Sequence, residues 1–145
     1  KEFQNINIAI NGGITTIEDA KAHLQNVDGV MMGREVYSNP FILSTVDNHI
    51  YGDSTTAVTR EQVVIAMNDY IQEQLENGSR VWHVARHVLG LFQAQTGGRI
   101  WRRYLSQNGT KRDVSKTLLL DAYEQVIDAQ EKAKSFLDSK PNISQ

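Results

Sequence analysis

Three groups of residues in this chain have types and spacings suited to chemistry. Asn11-Gly12-Gly13 follows a short apolar run, Ile6–Ile10, and Gly33-Arg34 follows a second, Val30–Met32. Glycines at the ends of two successive strands let the backbone approach a ligand, because no Cβ stands in the way. Backbone N–H groups at such turns, or at the start of a following helix, suit an anion such as phosphate. Arg34 adds a guanidinium whose paired donors match phosphate oxygens. A plainer reading stands beside this one: a βαβ unit whose glycines only make tight turns, with Arg34 paired to Glu35 or another carboxylate.

The third group is a block of charge. Residues 80–112 hold seven basic side chains and no acidic one, whereas residues 1–79 hold four basic and eleven acidic, and residues 113–145 four and six. Ordinary surfaces mix signs. A one-sign stretch between acidic flanks is the electrostatic footprint of a polyanion site. RNA suits it better than DNA, because no helix-turn-helix pattern with base-reading side chains is evident. At helical spacing Arg80, His83, Arg86 and His87 share an arc with Gly90, and Arg99, Arg102 and Arg103 share a second face. These seven are the candidate RNA contacts. The competing reading is the ordinary polar face of a helical bundle. His83 and His87 have the spacing of two zinc ligands, but residue 84 is valine where a metalloprotease helix needs glutamate, so no metal is expected.

Composition narrows the class. The chain has 145 residues, 40% apolar and 22% charged, with a net charge of −2. That fits one ordinary folded domain or two small ones, and not a disordered chain. No apolar run approaches the roughly 20 residues of a membrane span. No signal peptide precedes Ile6, so the expected location is cytoplasmic, with no membrane partner. The absence of cysteine excludes disulfides, thiolate metal ligands and a cysteine nucleophile within the chain. Three spaced glycines of the dinucleotide type are also missing, which weakens a Rossmann reading.

Two kinds of element must position these residues. Ile6–Ile10 and Val30–Met32 read as buried parallel strands. Between them lies a helix capped by Thr15 or Thr16, with Ile17, Ala20 and Leu24 at helical spacing. In a (β/α)₈ barrel the loops after the last two strands often form a phosphate cradle. One βαβ unit cannot close a parallel sheet, so the chain is expected to be the tail of a longer protein whose unpaired strand edges could pair two copies as a homodimer. From Leu43 to Val58 periodicity is lost. Beyond it the pattern is helical: an apolar face of Val63, Val64, Met67, Tyr70, Ile71 and Leu75, a turn at Asn77-Gly78, a helix from Arg80 to Gln93, a short helix after Gly97-Gly98, and a long last helix capped by Asp113 or Ser115. The expected fold class is α/β plus all-α: the last two strands of a TIM barrel (residues 1–45), a linker (46–58), a four-helix bundle (59–137) and a tail (138–145).

Asn11-Gly12-Gly13-Ile14, the run Asp28–Pro40 containing Gly33-Arg34-Glu35-Val36-Tyr37-Ser38-Asn39-Pro40, and the runs His87–Phe92 and Gly97–Arg103 together resemble the carboxyl-terminal part of a bacterial tRNA-dihydrouridine synthase of the A type. The resemblance covers Ile6 to about Val126. It implies an FMN-binding TIM barrel followed by a helical domain that grips tRNA, and NADPH-dependent reduction of D-loop uridines. It places Asn11, Gly12, Gly13, Gly33 and Arg34 around the FMN phosphate. The general-acid cysteine of that family has no counterpart here, and its active-site lysine and histidine lie on earlier strands. No catalytic residue is therefore expected in this stretch, which should be inactive alone and hold FMN weakly or not at all. Two alternatives remain: a non-catalytic RNA-binding helical module, and the tail of another FMN-dependent TIM-barrel oxidoreductase.

Overall fold

The computed structural model describes residues 6–139. The chain divides into two compact units, Lys1–Thr59 and Arg60–Gln145. Residues 140–145 of the expected tail lie outside the described residues, and the last helix runs to Asp138.

In the first unit, β1 (Ala9–Asn11) and β2 (Gly29–Met31) pair in parallel, with Ala9 opposite Gly29, Ile10 opposite Val30 and Asn11 opposite Met31. Both strands are shorter than their apolar runs. Ile6–Ile8 precede the ladder, although the Ile8 N–H donates to Asp28 Oδ2 at 3.0 Å and its carbonyl accepts from Asp28 and Gly29. A Cβ on Gly29 would stand 3.3 Å from the Ala9 Cβ, so this glycine serves close strand pairing. The crossover is α1 (Ile17–Leu24). Thr16 caps it, its side-chain oxygen accepting from the Asp19 N–H at 3.0 Å, and Glu18 and Asp19 complement the dipole in the first turn. Ile14, Ile17 and Ala20 are buried. The expectation of strands buried on both faces is corrected: Ile6 is 59% and Met31 56% exposed.

After β2 come α2 (Arg34–Ser38), a 3₁₀ turn (Pro40–Thr45) and α3 (Val46–Tyr51). Residues 46–51, read as part of a linker, are thus helical. Periodicity cannot reveal a six-residue helix, which is marginal by propensity alone and here is held by packing on the 3₁₀ turn and α1. Gly52, at φ +70°, ends it.

In the second unit, α4 (Arg60–Glu76) closes with Gly78 at φ +81°; Ser79 N–H reaches the Gln74 carbonyl and Gly78 N–H the Leu75 carbonyl, the paired bonds of a Schellman motif. Its buried face is Val64, Asn68 and Ile71. Tyr70, expected in the stripe, is 45% exposed, and Asn68 takes a place in the core with its Oδ1 unpartnered among the described residues. The expected helix from Arg80 to Gln93 is corrected to α5 (Val81–Ala85), one 3₁₀ turn (Arg86–Val88) and further turns. Tertiary bonds explain the break. The Val88 carbonyl accepts from Leu91 N–H and from the buried Trp101 Nε1 at 2.9 Å, and the Leu91 carbonyl accepts from Arg60 Nε at 2.8 Å. α6 (Gly98–Asn108) and α7 (Leu118–Asp138) follow. α7 starts later than expected because Ser115 Oγ takes the Thr117 N–H at 3.1 Å in a local turn. It packs on both α6 and α4, burying Leu118, Leu119, Ala122 and Val126 against Trp101, Leu105 and Phe92. The Phe92 ring lies 4.8 Å from Trp101 and 5.9 Å from Tyr123, centroid to centroid.

Candidate phosphate cleft and basic surface

The two turns predicted to act together do meet. Asn11, Gly12, Gly13, Gly33 and Arg34 all line one open cavity of about 720 Å³ at the carboxyl ends of β1 and β2, with Thr15, Glu35 and Ser38 at its edge. Parallel pairing in register is what aligns the two strand ends. Gly12 (φ +106°) and Gly13 (φ +74°) turn through the left-handed region, where an L side chain is strained, and neither has an atom within 4 Å of where a Cβ would stand. The cavity wall at these positions is therefore backbone. Arg34 opens α2 and is exposed. Among the described residues it has no ion-pair partner, and Glu35 accepts instead from Asn39 Nδ2 at 3.4 Å. A flexible guanidinium beside a bare glycine turn suits a terminal phosphate. These residues supply no acid, base or nucleophile aimed into the cavity.

The seven basic-surface candidates are all exposed, in three places. Arg99, Arg102 and Arg103 stand on the solvent side of α6, opposite the buried Trp101 and Leu105. Arg102 donates to Gln93 Oε1 at 3.1 Å, while Arg99 and Arg103 extend freely. Arg86 and His87 sit on the 3₁₀ turn, where Arg86 Nε donates to His87 Nε2 at 3.2 Å. Arg80 and His83 line a cavity of about 600 Å³ together with Trp82, Gly109, Lys111 and Arg112. The single basic arc expected along one helix is thus divided, because the helix ends at Ala85. Lys111 and Arg112 were not singled out in sequence, although both belong to the same acid-free block. The turn at Gly109, far along the chain, is what returns them to Arg80.

Burial acts on three titratable groups of this unit. It pulls the Arg60 guanidinium below its ordinary value. It raises the phenols of Tyr104, with Asp121 and Glu124 adding to the effect, and of Tyr123, with Glu61 adding.

A two-stranded parallel βαβ element with a glycine- and arginine-lined cleft, beside a helical unit with a basic surface, defines the class to which comparison assigns the chain. The sequence profile of the dihydrouridine synthase (Dus) family matches residues 1–131, and the chain belongs to that family. It is 48% identical over 128 residues to the tRNA-dihydrouridine(20/20a) synthase of Escherichia coli K12, covering 88% of this chain and 37% of that protein. It is 45% identical over 126 residues to the protein of the same name from Shewanella oneidensis, covering 87% of this chain and 38% of the relative. The chain thus spans less than two-fifths of the length of these curated relatives.

Proposed function

We propose that this chain forms the carboxyl-terminal part of an FMN-dependent tRNA-dihydrouridine synthase. The observation that carries the reading is the convergence of Asn11, Gly12, Gly13, Gly33 and Arg34 on one cleft in a chain of this family. In this reading β1 and β2 are the last two strands of a TIM barrel. The exposed faces of Ile6, Ile8 and Met31 support it, since parallel strands are ordinarily covered on both sides. The relatives' name points to uridines 20 and 20a of tRNA as the substrate.

The residues present fit the phosphate end of the flavin: a backbone wall at Gly12 and Gly13, and a cation at Arg34 without a competing ion pair among the described residues. Bound FMN, reduced by NADPH, would supply hydride to the uracil C5=C6 bond. This chain's part is binding and orientation. Arg34 neutralises phosphate charge, the glycine turns donate N–H groups, and the helical unit, a small bundle, holds tRNA through Arg80, His83, Arg86, His87, Arg99, Arg102 and Arg103. The proton needed at the second carbon must come from an acid on another stretch of the barrel, because this chain has no cysteine. Alone, the chain is expected to be inactive, to retain little FMN and to pair through its open strand edges. Its place is the cytoplasm; no described helix is long and apolar enough to cross a membrane.

The test is flavin retention by the whole enzyme of which this chain forms part. Arg34→Ala should weaken FMN binding by about tenfold or more, the loss of a charge-assisted contact, with the helical unit still binding tRNA. Unchanged flavin occupancy after gel filtration would overturn the assignment of this cleft.

A further inference from the structure

The cavity of about 600 Å³ in the helical unit has the makings of a site of its own. Cationic side chains reach it from two separate stretches, Arg80 and His83 from the start of α5 and Lys111 and Arg112 from the turn after α6, and no acidic residue lines it. Its wall is apolar at Trp82 and Val114. The volume falls within the roughly 300–1,000 Å³ usual for small-molecule sites. A charged edge with an apolar wall matches one nucleotide, whose phosphate needs cations and whose base needs a flat apolar surface.

Local structure holds this arrangement in place. Gly109 is buried, and a Cβ there would stand 2.7 Å from the Leu105 carbonyl oxygen and 2.8 Å from Trp82 Cε3. The glycine thus lets the indole lie directly against the turn that carries Lys111 and Arg112. Asn108 Nδ2 donates to the Tyr104 carbonyl at 2.9 Å, and Asn108 Oδ1 accepts from Lys111 Nζ at 2.6 Å. The lysine is oriented by a neutral amide, so its charge is not cancelled.

We propose that this cavity holds one unpaired nucleotide of a single-stranded RNA segment, its phosphate between Arg80 and the Lys111–Arg112 turn and its base beside Trp82. The proposal rests on the tRNA reading and deepens it by naming a nucleotide site inside the helical unit.

Tryptophan fluorescence tests it. The chain has two tryptophans; Trp101 is fully buried and Trp82 only partly, so Trp82 should report the ligand. Titration of this chain with a short oligouridylate should give saturable quenching that disappears in Trp82→Phe. Lys111→Ala with Arg112→Ala should raise half-saturation by about tenfold or more. Both residues are exposed, so circular dichroism should stay unchanged. Equal half-saturation in the double variant, quenching that survives in Trp82→Phe, or equal competition by duplex RNA would each overturn the proposal. Uridine 5′-monophosphate binding as tightly as the oligomer would assign the cavity to free nucleotides and overturn the RNA assignment. Intact tRNA is measured in parallel. If tRNA binds while the double variant changes nothing with either ligand, the cavity proposal falls and the tRNA reading stands. If tRNA fails to bind while the oligouridylate behaves as expected, the tRNA reading falls and the nucleotide site stands.

Discussion

At the scale of single residues, glycine and tyrosine carry the sharpest consequences. Gly98 opens α6 with no room at its α-carbon: a Cβ would stand 2.1 Å from the Phe92 carbonyl oxygen. Gly98→Ala must therefore push α6 away from the Phe92 turn, and overpacking of this kind costs about 1–3 kcal/mol. The expected outcome is a clear fall in the thermal midpoint of the helical unit, followed by circular dichroism. The tyrosines give a pH dependence. Burial raises both phenols above the ordinary value of 10.0, foremost over Asp121 for Tyr104 and over Glu61 for Tyr123. Above that value the unfolded chain sheds these protons first, so it binds fewer protons than the folded state and stability falls as pH rises. Below it, both states are protonated and the groups contribute no slope. Tyr104→Phe with Tyr123→Phe should flatten the loss of stability above about pH 10, measured as urea midpoints across alkaline pH.

At the scale of elements, α6 is the part best built for a polyanion. Trp101 and Leu105 fix one face in the core, Trp101 through its indole bond to Val88, and that leaves Arg99, Arg102 and Arg103 outward on a rigid helix. Changing all three to Glu should abolish tRNA binding at moderate salt without unfolding the unit, since none contributes to the core. In the partial series, removing three phosphate contacts should lower the slope of log affinity against log salt by about 2. Binding that is indifferent to these substitutions would leave α6 an ordinary solvated helix.

At the scale of the whole molecule, the chain is two units of unequal self-sufficiency. The unit from Arg60 onward has a closed core of Val64, Ile71, Phe92, Trp101, Leu105 and Leu119, anchored at its first residue by Arg60 on the Leu91 carbonyl. The unit up to Thr59 has a two-stranded sheet of three residues per strand and few buried side chains. Residues 60–145 made alone should fold with one cooperative thermal transition and keep the tRNA affinity of the whole chain. Residues 1–59 made alone should not, because two short strands with open edges are marginal in water. Far-ultraviolet circular dichroism of the two pieces checks both expectations.

Much of the local structure was legible in the residues. Thr16 as a cap, Asn77-Gly78 as a helix end and the buried spacing of Trp101 and Leu105 are short-range effects, decided within a turn or two of chain. The charge block needed only counting, and the glycine-arginine pairs at the strand ends needed only the order of elements. What could not be read depended on partners distant in sequence. The helix expected to run to Gln93 stops at Ala85 because the carbonyls of Val88 and Leu91 are taken by Trp101 and Arg60. Asn68 lies in the core, and Tyr70 outside it, because α7 sets the angle at which α4 is covered. Lys111 and Arg112 join Arg80 only through the turn at Gly109. Turn and cap preferences are properties of neighbouring residues, whereas the end of a helix within a core and the lining of a cavity depend on which side chains the folded backbone brings to the same place.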